Sequence, residues 1–366
     1  MENFSQSEYE NEHNRKTEEY VRFLDNIYWA AVNELLRHVM RHNINLDKPF
    51  QFSDYPQAKV AAEKIISELH AKMKSVITAG SRDQWLYACK KNNDFIKHVF
   101  DISKLPENVL RRYQGNNLTE LNEFQNRSVN KLNLSERIWN NTQQAYTQIE
   151  LAVDIALSEG NSAQELSRNV RKYLIDPEKL FRRVSDKYGN LKLSKAAAEY
   201  HPGRGKYRSS YKNAMRLART EINMAYSQAE QLRIKELDFV VGFEIRLSNN
   251  HTLNGEPFKD ICDELAGKYP KSFNWGAKWH PQCRCQRYTI LMDPEEFNND
   301  TLNELKAAIN GTEYKKYSSK NTVRDVPDAF KEWIADNLER SQGWKSQPYF
   351  IKDNFVGGTL AGGLKI

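Results

Sequence analysis

Apolar side chains recur along most of this chain with a helical period and switch to the period of a strand only in its last third. VRFLDNIYWAAVNELLRHVM places Phe23, Ile27, Ala30, Ala31, Leu35 and Val39 on one stripe. Ala58 to Val76 repeats the habit through Val60, Ile65, Ile66, Leu69 and Met73. Residues 1–133 therefore read as an interrupted helical region, in which 116–131, polar and opening after Gly115, is a linker or an exposed helix. From Leu134 the pattern sharpens. Ser135 is the expected cap of a helix carried by Ile138, Ala145, Ile149, Ala152, Val153 and Ala156 to a stop at Gly160, with Trp139 anchoring its start. Ser162 and Glu165 make a capping box for a second helix, Ala163 to Leu174, with Leu166, Val170, Tyr173 and Leu174 inward and Asp176-Pro177 ending it. The two form a helical hairpin. A long helix is predicted from about Ser209 to Glu236, where Met215, Ala218, Ile222, Ala225, Ala229 and Leu232 follow at spacings of three and four. Its alanines let another element approach closely, which suits central packing against the strands that follow.

The period changes at Phe239. Phe239, Val241, Phe243, Ile245 and Leu247 alternate with Val240, Gly242, Glu244 and Arg246, as in a half-buried strand, and Arg287 to Met292 reads as a second strand. The polar excursion between them is too long for a turn and too poor in aliphatic residues to build a core alone. Beyond it, VPDAFKEWIADNLER is amphipathic through Phe330, Trp333, Ile334 and Leu338 and reads as a docking tail, with VGGTLAGGLKI as a flexible end. The fold class expected is α+β and predominantly α-helical. It comprises a helical region at 1–133, a unit at 134–292 with a hairpin and a long helix packed on a small β unit, and a helix with a flexible tail at 293–366.

Composition narrows the class. At 366 residues the chain is long enough for two or three structural units. Charged residues make up 28% and the mean hydropathy is -0.78, while aromatic residues hold at 11%, a profile of folded, strongly solvated helices. No apolar run approaches the ~18 residues of a membrane span, and the first twenty residues are acidic where a signal peptide is basic and then apolar, so a soluble chain that requires no membrane is expected. The charge is uneven: Glu165 to Arg219 carries fifteen Lys or Arg against five Asp or Glu, a local +10 in a chain of net +6. Such an excess suits a phosphate-facing surface for double-stranded DNA, with Arg168, Arg171, Lys172, Arg182, Arg183, Lys187, Lys192, Lys195, Arg204, Lys206 and Arg208 as the contacts. A solvated basic helix face is the competing reading. Residues 180–210, rich in Lys, Arg, Gly and Ser, read as a mobile basic loop. Within the long helix Arg219, Thr220 and Glu221 flank the apolar stripe, where a glutamate pairs with an arginine of a neighbouring helix more readily than it serves catalysis. His38, His42 and His70 lie among helices without a ligand-spaced partner, and Cys89 stands alone.

The other three of the four cysteines lie in the excursion, at Cys262, Cys283 and Cys285, with His280 three residues before Cys283. Thiolate with imidazole is the set that zinc prefers, so Cys262, His280, Cys283 and Cys285 are the candidate ligands, with Asp260 or His251 able to complete or replace one. A hydrogen-bonded knuckle of free thiols, or a disulfide from Cys262 to one of the pair, remains open. Catalytic zinc signatures are missing: no glutamate lies two residues after a histidine, and H-E-x-x-H does not occur. Neither do G-x-x-x-x-G-K-[ST], G-x-S-x-G or G-x-G-x-x-G. Asn249, Asn250, His251 and His280 leave a His/Asn nuclease site as an alternative.

These residues carry a resemblance. LSERIW at Leu134 to Trp139, EGNSAQELSRNVRKYL at Glu159 to Leu174, ARTEINMAYSQAE at Ala218 to Glu230, CDELAGKYP at Cys262 to Pro270 and WHPQCRC at Trp279 to Cys285 resemble, in order and spacing, the Mu F-like head morphogenesis (minor head) proteins of tailed bacteriophages. The resemblance covers 134–292, and Lys259 stands where many members carry a first cysteine. It implies a virion protein of the capsid interior, made in the host cytoplasm, that meets the portal and capsid or scaffolding proteins. Such a protein acts in head assembly and in organising or ejecting packaged DNA, without enzymatic activity. Related domains also front phage toxins, so the alternative is a phage-delivered nuclease or transferase using the His/Cys cluster. Arg219 with Glu221 superficially resembles a nucleotide-handling pair.

Overall fold

A computed structural model describes residues 4–45, 50–158, 163–177, 184–185, 188, 191–192, 206–248, 252–253, 256–257, 259–314, 317–344 and 346–365. Its helical half runs α1 (Gln6–Val39), α2 (Pro56–Val99), α3 (Glu107–Tyr113), α4 (Leu118–Asn126), α5 (Leu134–Ser158) and α6 (Ala163–Ile175). The short pair β1 (Val184–Ser185) and β2 (Leu191–Lys192) precedes α7 (Ser210–Glu236). Then come β3 (Val240–Arg246), β4 (Thr252–Leu253), β5 (Glu256–Pro257), α8 (Ile261–Leu265), β6 (Gly267–Tyr269) and β7 (Gln286–Leu291). The chain ends in α9 (Pro294–Asn310), α10 (Asp328–Ser341) and α11 (Tyr349–Asn354). Helices predominate over a small antiparallel sheet, the α+β class expected. The compact units are not the three consecutive segments of the sequence reading. One gathers Met1–Lys16, Ser81–Asn122 and Ile222–Ile366, and the other Thr17–Gly80 and Glu123–Glu221, so α1, α2 and α7 each contribute to both.

In the second of these units the core is built by Leu24, Tyr28, Val32, Leu35 and Leu36 of α1 with Ile65, Ile66, Leu69 and Met73 of α2, Ile138, Ile149 and Val153 of α5, and Val170, Tyr173 and Leu174 of α6. The α1 stripe read from sequence is only part of this face: Leu35 and Val39 are in the core and Ile27 and Ala31 pack against it, but Phe23 is 58% exposed. On α2 Ile65, Ile66, Leu69 and Met73 are in the core as expected and Val60 is 66% exposed. A helix orients by the total apolar area it removes from water, and Leu24, Tyr28 and Val32 outweigh a face carrying Ala30 and Ala31. Trp139 does not anchor α5 from inside either; it is 44% exposed and meets His70 edge to face. Nor does Ser135 cap the helix. Asn133 Oδ1 accepts from Glu136 N at 2.9 Å while Glu136 Oε2 accepts from Asn133 N at 2.7 Å, a reciprocal box that begins the helix at Leu134. The α5–α6 hairpin forms as expected. The Ser162 box and the Gly160 stop lie outside the described residues.

In the first unit β6, β3 and β7 form a sheet in that order, all antiparallel. The half-buried strand expected at β3 is covered on both faces, since Val240, Val241, Gly242 and Phe243 are all buried. Gly242 is required there: a Cβ would sit 2.6 Å from Val323 Cγ2. Val323 belongs to the C-terminal segment, and its N–H donates to Val241 O at 3.2 Å. That segment is neither an exposed docking tail nor a loose end. Phe330, Phe350, Phe355 and Leu360 join Phe243, Tyr269, Phe273, Trp275 and Trp279 in one aromatic core, and Phe355 bridges Leu364. The excursion between the strands is thus covered by side chains from the far end of the chain, which supply the apolar area it lacks.

Candidate metal centre

Three short pieces of backbone bring the cysteines together. Asp260 opens α8 with a reciprocal capping box: its Oδ1 accepts from Cys262 N at 2.7 Å and Asp263 Oδ2 accepts from Asp260 N at 2.8 Å. This fixes Cys262 in the helix's first turn. Cys283 is set by a turn in which its N–H donates to His280 O at 3.2 Å, and Gln282 takes a φ of 66°. Cys285 then leads into β7, whose first residue Gln286 pairs with Arg246 of β3. In extended chain, residues two apart point to one side, so Cys283-Arg284-Cys285 presents both thiols together.

The thiols of Cys262, Cys283 and Cys285 lie within 4.8 Å of one another, and each cysteine is 2% exposed. Cys262 Sγ is 3.6 Å from Cys283 Sγ, too far for a disulfide and close to the ~3.8 Å between two thiolates 2.3 Å from one tetrahedral ion. All described cysteines are free, so the disulfide alternative falls. His280 Nε2 lies 3.1 Å from Cys262 Sγ and 3.3 Å from Asp260 Oδ2, which makes a second group sharing Cys262. Its Nδ1 lies 2.7 Å from Pro281 O and, facing a carbonyl, can only donate there. The Nε2 lone pair is therefore directed at the cluster, the arrangement of a histidine ligand held by an outer partner. Three electron-pair donors, an imidazole nitrogen, a carboxylate oxygen and a sulfur, meet at that point and call for a proton or cation between them. Both groups could hold a metal ion.

The electrostatics run the same way. Burial opposes ionisation of Cys283, yet hydrogen bonds from Cys262 and Cys285, with Lys278 and His280 nearby, hold its thiol well below the usual value. Cys262 is raised, first by its bonds to Cys283 and Cys285 and then by burial. Cys285 is raised as well: its bond with Cys262 acts the other way, but its bond to Cys283 and burial outweigh that. One thiolate thus gathers two S–H donors. Lys278 escaped the sequence reading. It is 5% exposed, takes a φ of 56° and donates to Cys285 O at 3.0 Å. Its only signal in sequence is a basic residue between two tryptophans of a buried run.

The remaining sequence candidates are dispersed. His251, Asn249 and Asn250, named with His280 for the nuclease alternative, lie outside the described residues. Of the phosphate candidates, Arg168, Arg171, Lys172 and Lys206 are exposed and Arg208 is half-buried. The Arg171 guanidinium lies 4.7 Å over the Trp29 ring. Arg182, Arg183, Lys187, Lys195 and Arg204 lie outside the described residues, with most of the basic loop, and Lys192 is described only in its backbone. Glu221, 2% exposed, is held by Arg127 at 3.0 Å and Arg137 at 2.6 Å, while Arg219 pairs with Glu18 at 2.8 Å and Thr220 Oγ1 donates to Arg216 O. Both charged members of the ARTE motif are therefore engaged in ion pairs, as expected from sequence. Comparison with protein-family models, with curated proteins and with solved structures found no match to this chain.

Proposed function

We propose that this chain is a minor head protein of a tailed bacteriophage. It acts in the capsid interior near the portal and capsid or scaffolding proteins, and its Cys/His centre is a structural zinc site. The observation that carries the reading is the burial of the three thiols: each cysteine is 2% exposed, inside the aromatic core that also buries Phe330 and Phe350, with His280 half-buried at its edge. Catalytic zinc keeps a position open to water or substrate, whereas structural zinc is enclosed by thiolate and imidazole. A non-enzymatic role accords with that, and with the ion-paired Arg219 and Glu221. The five motif segments quoted above supply the phage assignment, and the exposed Arg168, Arg171 and Lys172 suit contact with packaged DNA.

Two experiments separate the parts of this reading. Protein purified without added metal is expected to carry close to one zinc per chain by elemental analysis. A content far below one removes the zinc centre and leaves the phage assignment standing. In the virus, the protein is expected to copurify with procapsids, and its deletion to impair packaging or ejection of DNA. Infectious heads of normal yield without it would overturn the assignment. Turnover of DNA or NAD by the purified protein, abolished by His280→Ala, would favour the enzymatic alternative.

A further inference from the structure

The unit that holds the cysteines contains a second set of polar groups, and it is incomplete. Arg287 on β7 is 2% exposed, and none of its three guanidinium nitrogens has a hydrogen-bond partner among the described residues. Its guanidinium carbon lies 4.9 Å from the Phe243 ring centroid and 5.2 Å from that of Trp275, so aromatic faces hold the cation without supplying acceptors to its edge. Arg233 on α7 is also 2% exposed. Its Nη1 donates to Asn117 Oδ1 and its Nη2 to Arg112 O, each at 2.9 Å, and its Nη2 also pairs with Glu236, while its Nε is buried without a partner among the described residues. Both arginines line one cavity of about 30 Å³, together with Lys91, Glu230, Asn92 and Thr289. Arg233 is paired with Glu236 and Lys91 with Glu10 and Glu230, so among the described residues it is the Arg287 guanidinium that is left without a hydrogen-bonded carboxylate. Buried polar groups in folded proteins are almost always paired, so unmatched guanidinium N–H groups converging on one space mark a missing acceptor.

We propose that this cavity is a binding site for one small monovalent anion, a halide or the carboxylate end of a small acid, seated on Arg287. The cavity's volume of about 30 Å³ exceeds the ~10–15 Å³ that a single water-sized probe requires, so one small ion fits. A guanidinium edge matches a carboxylate with two parallel N–H bonds and accepts a halide between the same donors. Water is the competing occupant, and only an anion makes the thermal midpoint depend on which salt is present.

The test uses the full-length protein in sodium gluconate, an anion too large for the cavity, at fixed ionic strength. Chloride, bromide or formate is exchanged in while the thermal midpoint is followed. A saturable rise of a few degrees is expected, and crystals grown in bromide should show an anomalous peak within hydrogen-bond distance of the Arg287 guanidinium. A response to halides alone assigns a halide site, and a response to formate alone assigns a carboxylate site. Arg287→Met should abolish either response. Should that variant fail to fold, the bromide position in the unmodified protein decides. Midpoints unmoved by every anion, or bromide found only elsewhere, overturn the proposal.

Discussion

Lys91 can be 5% exposed only because two carboxylates reach it, Glu10 at 2.7 Å and Glu230 on α7. Burial alone would raise the Glu10 carboxyl, but the charge of Lys91 first, and that of Lys278, hold it below its usual value. Removing one member of a buried pair leaves the other uncompensated. Lys91→Met is therefore expected to destabilise the protein by about 3–5 kcal/mol in urea unfolding, with part recovered by adding Glu10→Gln. A loss within the error of the measurement would mean that the pair contributes little. His13, stacked 3.8 Å from Tyr226 and 2.8 Å from Gln84 Oε1, belongs to the same cluster. Burial first, and then Lys278 and Lys91, outweigh Glu10 and Gln84 and bring its pKa from 6.5 to about 4. The folded state thus keeps the neutral ring. Its contribution is complete above pH 6.5 and is lost as pH falls toward 4, about 3 kcal/mol in all. His13→Gln should flatten the difference in unfolding free energy between pH 7 and pH 5. An unchanged difference would place the sensitive group elsewhere.

At the scale of elements, the sequence was most informative where one period persists. The helix expected from Ser209 is α7, Ser210–Glu236, because apolar and small residues recur at helical spacing throughout it, and β7 lies one residue from its expected span. The face of α1 was harder to read, since two overlapping stripes compete and total buried area decides between them, whereas on α2 only Val60 of the expected stripe is exposed. The N-terminal cluster was not legible: Glu10 and His13 lie in an acidic stretch, and the groups that meet them, Lys91, Gln84 and Tyr226, are distant in sequence. The cysteine site was half legible. Residue type and spacing brought out Cys262, His280, Cys283 and Cys285, whereas its aromatic cover comes from Phe330 and Phe350 of a segment that reads as a tail. Phe330 is 0% exposed, so Phe330→Ala should cost about 3–5 kcal/mol. It should also open residues 259–286 to limited proteolysis while α5 and α6 stay resistant, since their own core retains Ile149, Val170 and Tyr173. Equal resistance of the cysteine segment in mutant and wild type would show that it holds together without this cover.

For the whole molecule, the quantity that ties charge to the proposed role is the salt dependence of DNA binding. The chain carries +6 in all, but the +10 between Glu165 and Arg219 makes any attraction to phosphate local. On the described part of that stretch Arg168, Arg171, Lys172 and Lys206 are exposed, and exposed side chains can be changed without opening a core. Each phosphate contact contributes about 0.9 to the slope of log affinity against log salt on duplex DNA. Replacing all four with Gln is therefore expected to lower that slope by up to about 3.6, with most of the affinity lost at the low-salt end of a titration. Phosphates carry no base information, so the loss should be equal on unrelated duplexes of one length. Fluorescence anisotropy with two such duplexes measures both quantities at once. Equal slopes in variant and wild type would remove this face from the interaction, and a loss confined to one duplex would mean that these side chains read bases.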